Sequence, residues 1–235
     1  MKRPVILISL IALAWGLINP AVMIRYRLVA EMEWNGQPRA GSGVIQVIYS
    51  RNIPFLGSRG GMNSAVEGEA VSIDIEPNDT LLVLLHAGPL SVRSGPEDII
   101  PNLFGVVKGG FGSEDFSRIN AIKGQREVPL ELLPAMVRVR NTKDPKSAVL
   151  FVPPGGQHPN QDLILKRVVI EIVSSGIWPF NEFGITGTGI TRAIQSKLPW
   201  VDSEESRKAF YGGLYDSGLR PNGTVETKSL LMSGR

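Results

Sequence analysis

The chain has 235 residues, of which 43% are hydrophobic and 20% charged, enough to bury a core in one domain with appendages. Its 25 Lys and Arg are scattered among 22 Asp and Glu, with no basic stripe interleaved with aromatics, which argues against a nucleic-acid binder. There is no cysteine, so disulfides, thiolate nucleophiles, cysteine-based zinc sites and attachment through a lipidated Cys are all excluded.

Lys2 and Arg3 precede a stretch without charge that runs from Pro4 to Ile24. About 20 apolar residues at about 1.5 Å each are enough to cross the hydrocarbon layer of a membrane. A basic start before an apolar run also describes a secretory signal. Pro20 ends or kinks a helix here, which leaves Pro4 to Ile18 short for a span. Cleavage after Ala12 and Ala14 would fall too early, and Ala21 has Asn19 two residues upstream, a poor context. The favoured reading is an uncleaved membrane anchor over residues 4–24. A cleaved signal and a buried core element stay open. Arg25 and Arg27 nearly balance Lys2 and Arg3, so flanking charge says little about orientation. With almost the whole chain downstream, the expectation is a bacterial inner-membrane protein whose bulk is periplasmic. Gly16 with Ala12 and Ala14 gives no convincing helix-pairing motif toward an envelope partner.

From Arg25 to Trp34 the chain alternates. Tyr26, Leu28, Ala30, Met32 and Trp34 share one face; Arg25, Arg27, Glu31 and Glu33 share the other with Val29, the pattern of a half-buried strand. Asn35-Gly36 suits a tight turn, and Val44 to Tyr49 reads as the returning strand. Gln37 to Gly43, with Pro38, predicts a looser connection outside a central ladder. Arg51 to Gly61 reads as loop, Ala70 to Ile75 as a strand, and Glu76-Pro-Asn-Asp79 as a turn. Leu81 to Leu85 is apolar throughout, hence buried on both faces if a strand. Pro96 to Phe104 and Ser113 to Ile122 read as short helices, the second capped by Ser113.

Met136 to Arg140 and Leu163 to Val173 are further strands, with Pro153 to Pro159 a loop between them. A short helix is expected from Asp202 as its cap, stopped by Gly212 and Gly213, and the last fifteen residues read as a mobile tail. The sum is a β-rich α+β domain over residues 25–201, an antiparallel sheet or sandwich with a few short helices. An apolar N-terminal helix (1–24) would precede it, and a short helix with a tail (202–235) would follow.

Several stretches in order resemble a family of proteobacterial exported or membrane-anchored proteins to which no activity is assigned. They are Arg25-Tyr-Arg-Leu28, Gly41-Ser-Gly-Val-Ile-Gln-Val47, Gly68 to Asp74 and Leu81 to Leu85. Further on come Leu133 to Arg140 with Asp144-Pro-Lys-Ser147, Leu165 to Ile172, and Gly189 to Trp200. The resemblance implies export and no catalytic residue. Members often carry a lipoprotein cysteine, which this chain lacks.

Candidate chemistry is sparse. A triad or histidine metal site must use His86 or His158, the two histidines present. Ser42 between Gly41 and Gly43 lacks the five-residue nucleophile elbow, and a turn explains it as well. Asp74, Glu76 and Asn78 have the alternation of a calcium loop, but Asp79 and Leu85 stand where the sharp turn and the bidentate acid belong. Gly187-Thr-Gly-Ile-Thr191 lacks the third glycine of a dinucleotide loop, and Lys108 precedes Gly109-Gly110 rather than following a spaced pair. Asp144 to Ser147 is a charged turn, and Glu114 with Asp115 at a helix start is dipole chemistry before it is sugar cleavage. Trp178-Pro-Phe180 and Pro199-Trp200 either line a groove or plug a core edge. The expectation is a non-enzymatic binding or envelope scaffold module without a cofactor, metal or nucleic-acid partner; the rival is a hydrolase with a scattered site.

Overall fold

A computed structural model of the chain describes residues 21–52, 61–88, 95–106, 113–153, 162–177, 180–181, 184–216 and 231–233. Residues 1–20 of the apolar N-terminal helix expected over 1–24 lie outside them. Among the described residues no helix is long and apolar enough to cross a membrane.

Two antiparallel sheets carry the fold. The first strand, β1 (Ala21–Trp34), turns through Asn35 and Gly36 into β2 (Gln37–Asn52). Both turn residues have positive φ, 49° and 76°, the requirement of a two-residue hairpin that matches strand twist. Trp34 pairs with Gln37 and the ladder continues without a break to Ala21 and Ser50, so the looser connection expected over Gln37 to Gly43 does not occur. Pro38 is tolerated because it faces Glu33 in the pair after the hairpin's closing one, where the position of a missing N–H points away from β1. On its other side, β3 (Gly61–Glu69) pairs with β2 only from Gln46 onward.

The sheet is completed by β9 (Leu163–Val173) beside β1, the short β6 (Gln125–Glu127) outside it, and β10 (Met232–Ser233) outside β3. The second sheet has the order β4 (Val71–Glu76), β5 (Asp79–Ala87), β7 (Pro134–Val139), β8 (Ala148–Phe151). The β4–β5 turn holds Asn78 at φ 67° after Pro77, the pattern of a type II turn.

The alternation of β1 becomes its burial. Ile24, Tyr26, Leu28, Ala30 and Met32 are buried and meet Val71, Ile73, Leu81 and Val83 of the second sheet in one core. Leu81 to Leu85 is buried on both faces, as its uniform apolarity required: Leu82 and Leu84 enter a second core with Val137, Val139 and Leu150. That core is roofed by α4 (Glu204–Asp216) through Phe210 and Leu214, and by Ile194, Leu198, Trp200 and Val201. Three layers result: sheet, sheet, helix. Two short helices, α1 (Pro96–Leu103) and α2 (Ser113–Asn120), add Ile99, Ile100, Phe116 and Ile119 to the first core. The remaining helix, α3 (Ile194–Lys197), is a single turn.

Several expectations are corrected. Strand β1 includes Ala21 to Ile24, with Ile24 buried, so these four residues belong to the sheet rather than to the expected anchor over 4–24. Arg25, placed by alternation on a solvated face, is 4% exposed. Its Nε donates to Gln46 at 2.5 Å and its Nη1 to the Thr188 carbonyl at 2.8 Å, while Gln46 donates on to Glu67 at 2.8 Å. The chain from Thr188 to Ile194 lies over it: Thr191 satisfies both backbone groups of Val44, and Glu69 accepts from the backbone N–H of Ile194 at 2.7 Å.

Ser203, not Asp202, caps α4, with its Oγ accepting from the Ser206 N–H at 3.3 Å. The helix also runs through Gly212 and Gly213. Burying Phe210 and Leu214 outweighs two glycines at about 1 kcal/mol each. The expected C-terminal tail contains Leu231 and Met232, both buried, and Met232–Ser233 extends the first sheet.

Candidate functional site

Where β1 begins, the two outer ends of the first sheet leave a hollow. Ala21 to Ile24, Ile48 of β2, and Ile172 and Val173 of β9 form its apolar wall. Asn120, Ile122 and Lys123, where α2 ends, and Ser174 to Gly176 close it, giving a cavity of about 670 Å³. Its polar groups are few and held in place. Ser175 Oγ accepts from the Arg25 N–H at 3.2 Å and donates to the Met23 carbonyl at 3.3 Å. Asn181 is 5% exposed; its amide Nδ2 reaches only the Met23 thioether, at 3.4 Å, and its Oδ1 has no partner among the described residues. Lys123 supplies a cation at the same wall. An apolar hollow of this size with a few fixed polar groups is the form of a small-ligand site.

A second constellation lies between the strands and α1. Tyr26 and Tyr49 point inward, and Tyr49 donates to the Glu97 carbonyl at 2.7 Å. The Tyr26 hydroxyl is fully buried with no partner among the described residues. Burial raises the Glu97 carboxyl above its usual range; a bond to its own backbone opposes this, Asp98 adds to it, and the charge of half-buried His86 opposes it. Burial likewise pushes both phenols far up. The Glu97 carboxyl thus feels the charge of His86, and the Tyr49 hydroxyl is bonded to the Glu97 backbone. Phenols held protonated are hydrogen-bond donors, however, not activated nucleophiles.

No family model, curated protein or solved structure matches this chain.

The structure separates the remaining candidates. Ser42 sits exposed in the middle of β2, and its flanking glycines face β4, where a Cβ on Gly41 would stand 2.3 Å from the Ser72 carbonyl oxygen. Close strand packing therefore accounts for Gly-Ser-Gly. Asp74 is paired with Lys197 at 2.5 Å, and Asp79 takes both oxygens to Arg138, at 2.6 Å for the shortest contact. Asn78 is the left-handed turn residue and Glu76 closes the hairpin with Asp79. These roles are structural, and among the described residues no group of three His, Asp or Glu side chains is placed to hold a metal.

Asp144 accepts from the Lys146 N–H at 2.9 Å and caps the turn Pro145–Ser147. Gly187 packs backbone to backbone on Gly176. Asp115 is buried beside Arg118 at 3.5 Å. Trp200 is a plug: it is 8% exposed, stacks on Phe210 at 5.3 Å and donates to the Thr142 carbonyl. Phe180 is instead half exposed. His158, Lys108, Gly109, Gly110, Trp178 and the side chain of Glu114 lie outside the described residues.

Sequence reasoning missed the cavity entirely. Its walls come from five separate stretches, and the one clue was the run Ser174-Ser175-Gly176 directly after the strand Leu163–Val173.

Proposed function

We propose that this protein is a non-enzymatic binding module held on the outer face of a bacterial inner membrane by residues 4–20, and that it takes a small amphiphile into the cavity at the start of β1. The cavity carries the reading. Its volume of about 670 Å³ falls within the range of small-molecule sites, roughly 300–1,000 Å³. Its wall is aliphatic and contains one lysine and the Asn181 amide, so it suits an apolar body bearing an anionic or hydroxyl-bearing end. The apolar stretch 4–20, with Lys2 and Arg3 before it, supports the location.

Titrating the full-length protein with N-phenyl-1-naphthylamine, an apolar fluorophore, tests the binding site. Saturable enhancement that Ile48→Trp abolishes without lowering the melting temperature supports the proposal, and equal enhancement in that variant refutes it. Fractionation of the tagged chain, with protease access to its C-terminus in spheroplasts, tests the location; recovery from cytosol refutes it. A hydrolase reading draws on His86 beside Glu97. It predicts turnover of an activated ester that Glu97→Gln removes, and on the present proposal none is seen.

A further inference from the structure

Beyond β9 the chain makes a compact excursion from Ser174 to Thr188 before crossing Arg25. Its neck is closed by the Thr188 N–H donating to the Ser174 carbonyl at 2.8 Å, where Gly176 and Gly187, at φ 76° and 81°, touch through their backbones. Inside, Asn181 donates to Ile177 and Ile185 to Phe180, both at 3.0 Å, and the Ile177 N–H donates to Thr186 Oγ1 at 3.0 Å. The described residues of the loop are thus tied together by hydrogen bonds, yet three large apolar side chains among them face outward. Ile177 is 68% exposed, Phe180 51% and Ile185 70%, half of the six large exposed apolar residues among those described, within nine positions. Large apolar side chains kept in water on hydrogen-bonded backbone mark a contact surface.

Its position selects the partner. Ser175 is bonded to the backbone of both Met23 and Arg25, and Arg25 in turn to Thr188. The described part of the loop is therefore braced to β1 at Met23 and Arg25, three and five residues after Pro20 and at the close of the uncharged run that ends with Ile24. Three residues of extended chain span about 10 Å, comparable with the headgroup layer, which is about 5–8 Å thick on each side of the hydrocarbon. We infer that Ile177, Phe180 and Ile185 dip into the bilayer surface beside the anchor and fix the domain's tilt on the membrane. This rests on residues 4–20 being in the membrane, as proposed above. Interfacial insertion of isoleucine and phenylalanine removes apolar surface from water without a protein partner.

The absence of cysteine makes the test clean. Ile177→Cys, Ile185→Cys and, as a control in β2 opposite Trp34 at the far end of the 14-residue β1, Gln37→Cys are each labelled with an environment-sensitive fluorophore. Each full-length protein is reconstituted in vesicles of phosphatidylethanolamine and phosphatidylglycerol. The expected result is a blue shift and strong quenching by nitroxide-labelled lipid at positions 177 and 185, with neither at 37. If the protein floats with the vesicles but all three probes report water, the inference fails while membrane attachment stands. Probes shielded from water but not quenched by lipid also overturn it, and assign the cluster to a protein partner. If the full chain does not float, the inference and the anchor fall together.

Discussion

Tyr26 and Tyr49 are the two largest fully buried side chains of the first core, and the same substitution at each has opposite expected effects. The Tyr49 hydroxyl donates to the Glu97 carbonyl at 2.7 Å; the Tyr26 hydroxyl, equally buried, has no partner among the described residues. A buried polar group left unsatisfied costs about 1–3 kcal/mol, whereas a satisfied one contributes a net of about 0.5–1.5 kcal/mol. Phenylalanine keeps the ring and its packing in both cases. Tyr26→Phe is therefore expected to stabilise the protein by about 1 kcal/mol, and Tyr49→Phe to destabilise it by about 1–2 kcal/mol. For a domain of this size each kcal/mol moves the melting temperature by about 2–4 °C, so the two variants should bracket the parent. Urea unfolding followed by circular dichroism, with equal m-values, reads the difference directly. If Tyr26→Phe destabilises as much as Tyr49→Phe, the Tyr26 hydroxyl is satisfied in solution and the argument fails.

Other expectations follow from the same packing. Gly41→Ala sets a Cβ 2.3 Å from the Ser72 carbonyl oxygen and 2.7 Å from Ile73 Cγ1; a backbone oxygen cannot rotate away, so β2 and β4 must part. A loss of about 1–3 kcal/mol in chemical denaturation is expected, against no more than about 0.5 kcal/mol for Gly189→Ala, where nothing lies within 4 Å. Asp79→Ala removes the bidentate partner of Arg138, whose side chain is 12% exposed, and should cost about 3 kcal/mol. Asp79→Leu combined with Arg138→Met should recover most of it in the same assay. Because burial raises the Glu97 carboxyl, the folded protein binds more protons than the unfolded chain between the ordinary glutamate range and the folded value. The stability contributed by this group is fully present below that window and is lost as pH rises through it. Glu97→Gln should flatten this fall in a urea-midpoint series from about pH 4 to pH 7; an unchanged slope refutes the assignment.

The sequence made part of this architecture legible through local rules alone. Period-two apolarity from Tyr26 to Met32, paired positive-φ residues at Asn35-Gly36, and uniform apolarity from Leu81 to Leu85 each have one structural solution that satisfies both backbone and side chains. It failed where a neighbour, not the segment, supplies the stabilisation. The strand Gly61–Glu69 has no apolar period and is held by the ladder to β2; Ala148–Phe151 is too short to show one and is held by β7. Two glycines in α4 read as a stop, and the roof that Phe210 and Leu214 make over the second core overrides it.

The sequence by itself determined a chain that is β-rich, free of cysteine, and uncharged from Pro4 to Ile24, because these depend on the composition and order of single residues. Only the tertiary structure decided that Arg25 is buried, that Ala21 to Ile24 join the sheet, and that a cavity and exposed apolar side chains flank the same strand end. Those features depend on residues far apart in sequence, such as Met23, Lys123, Ser175 and Asn181, being brought to one place, and no local pattern encodes that meeting.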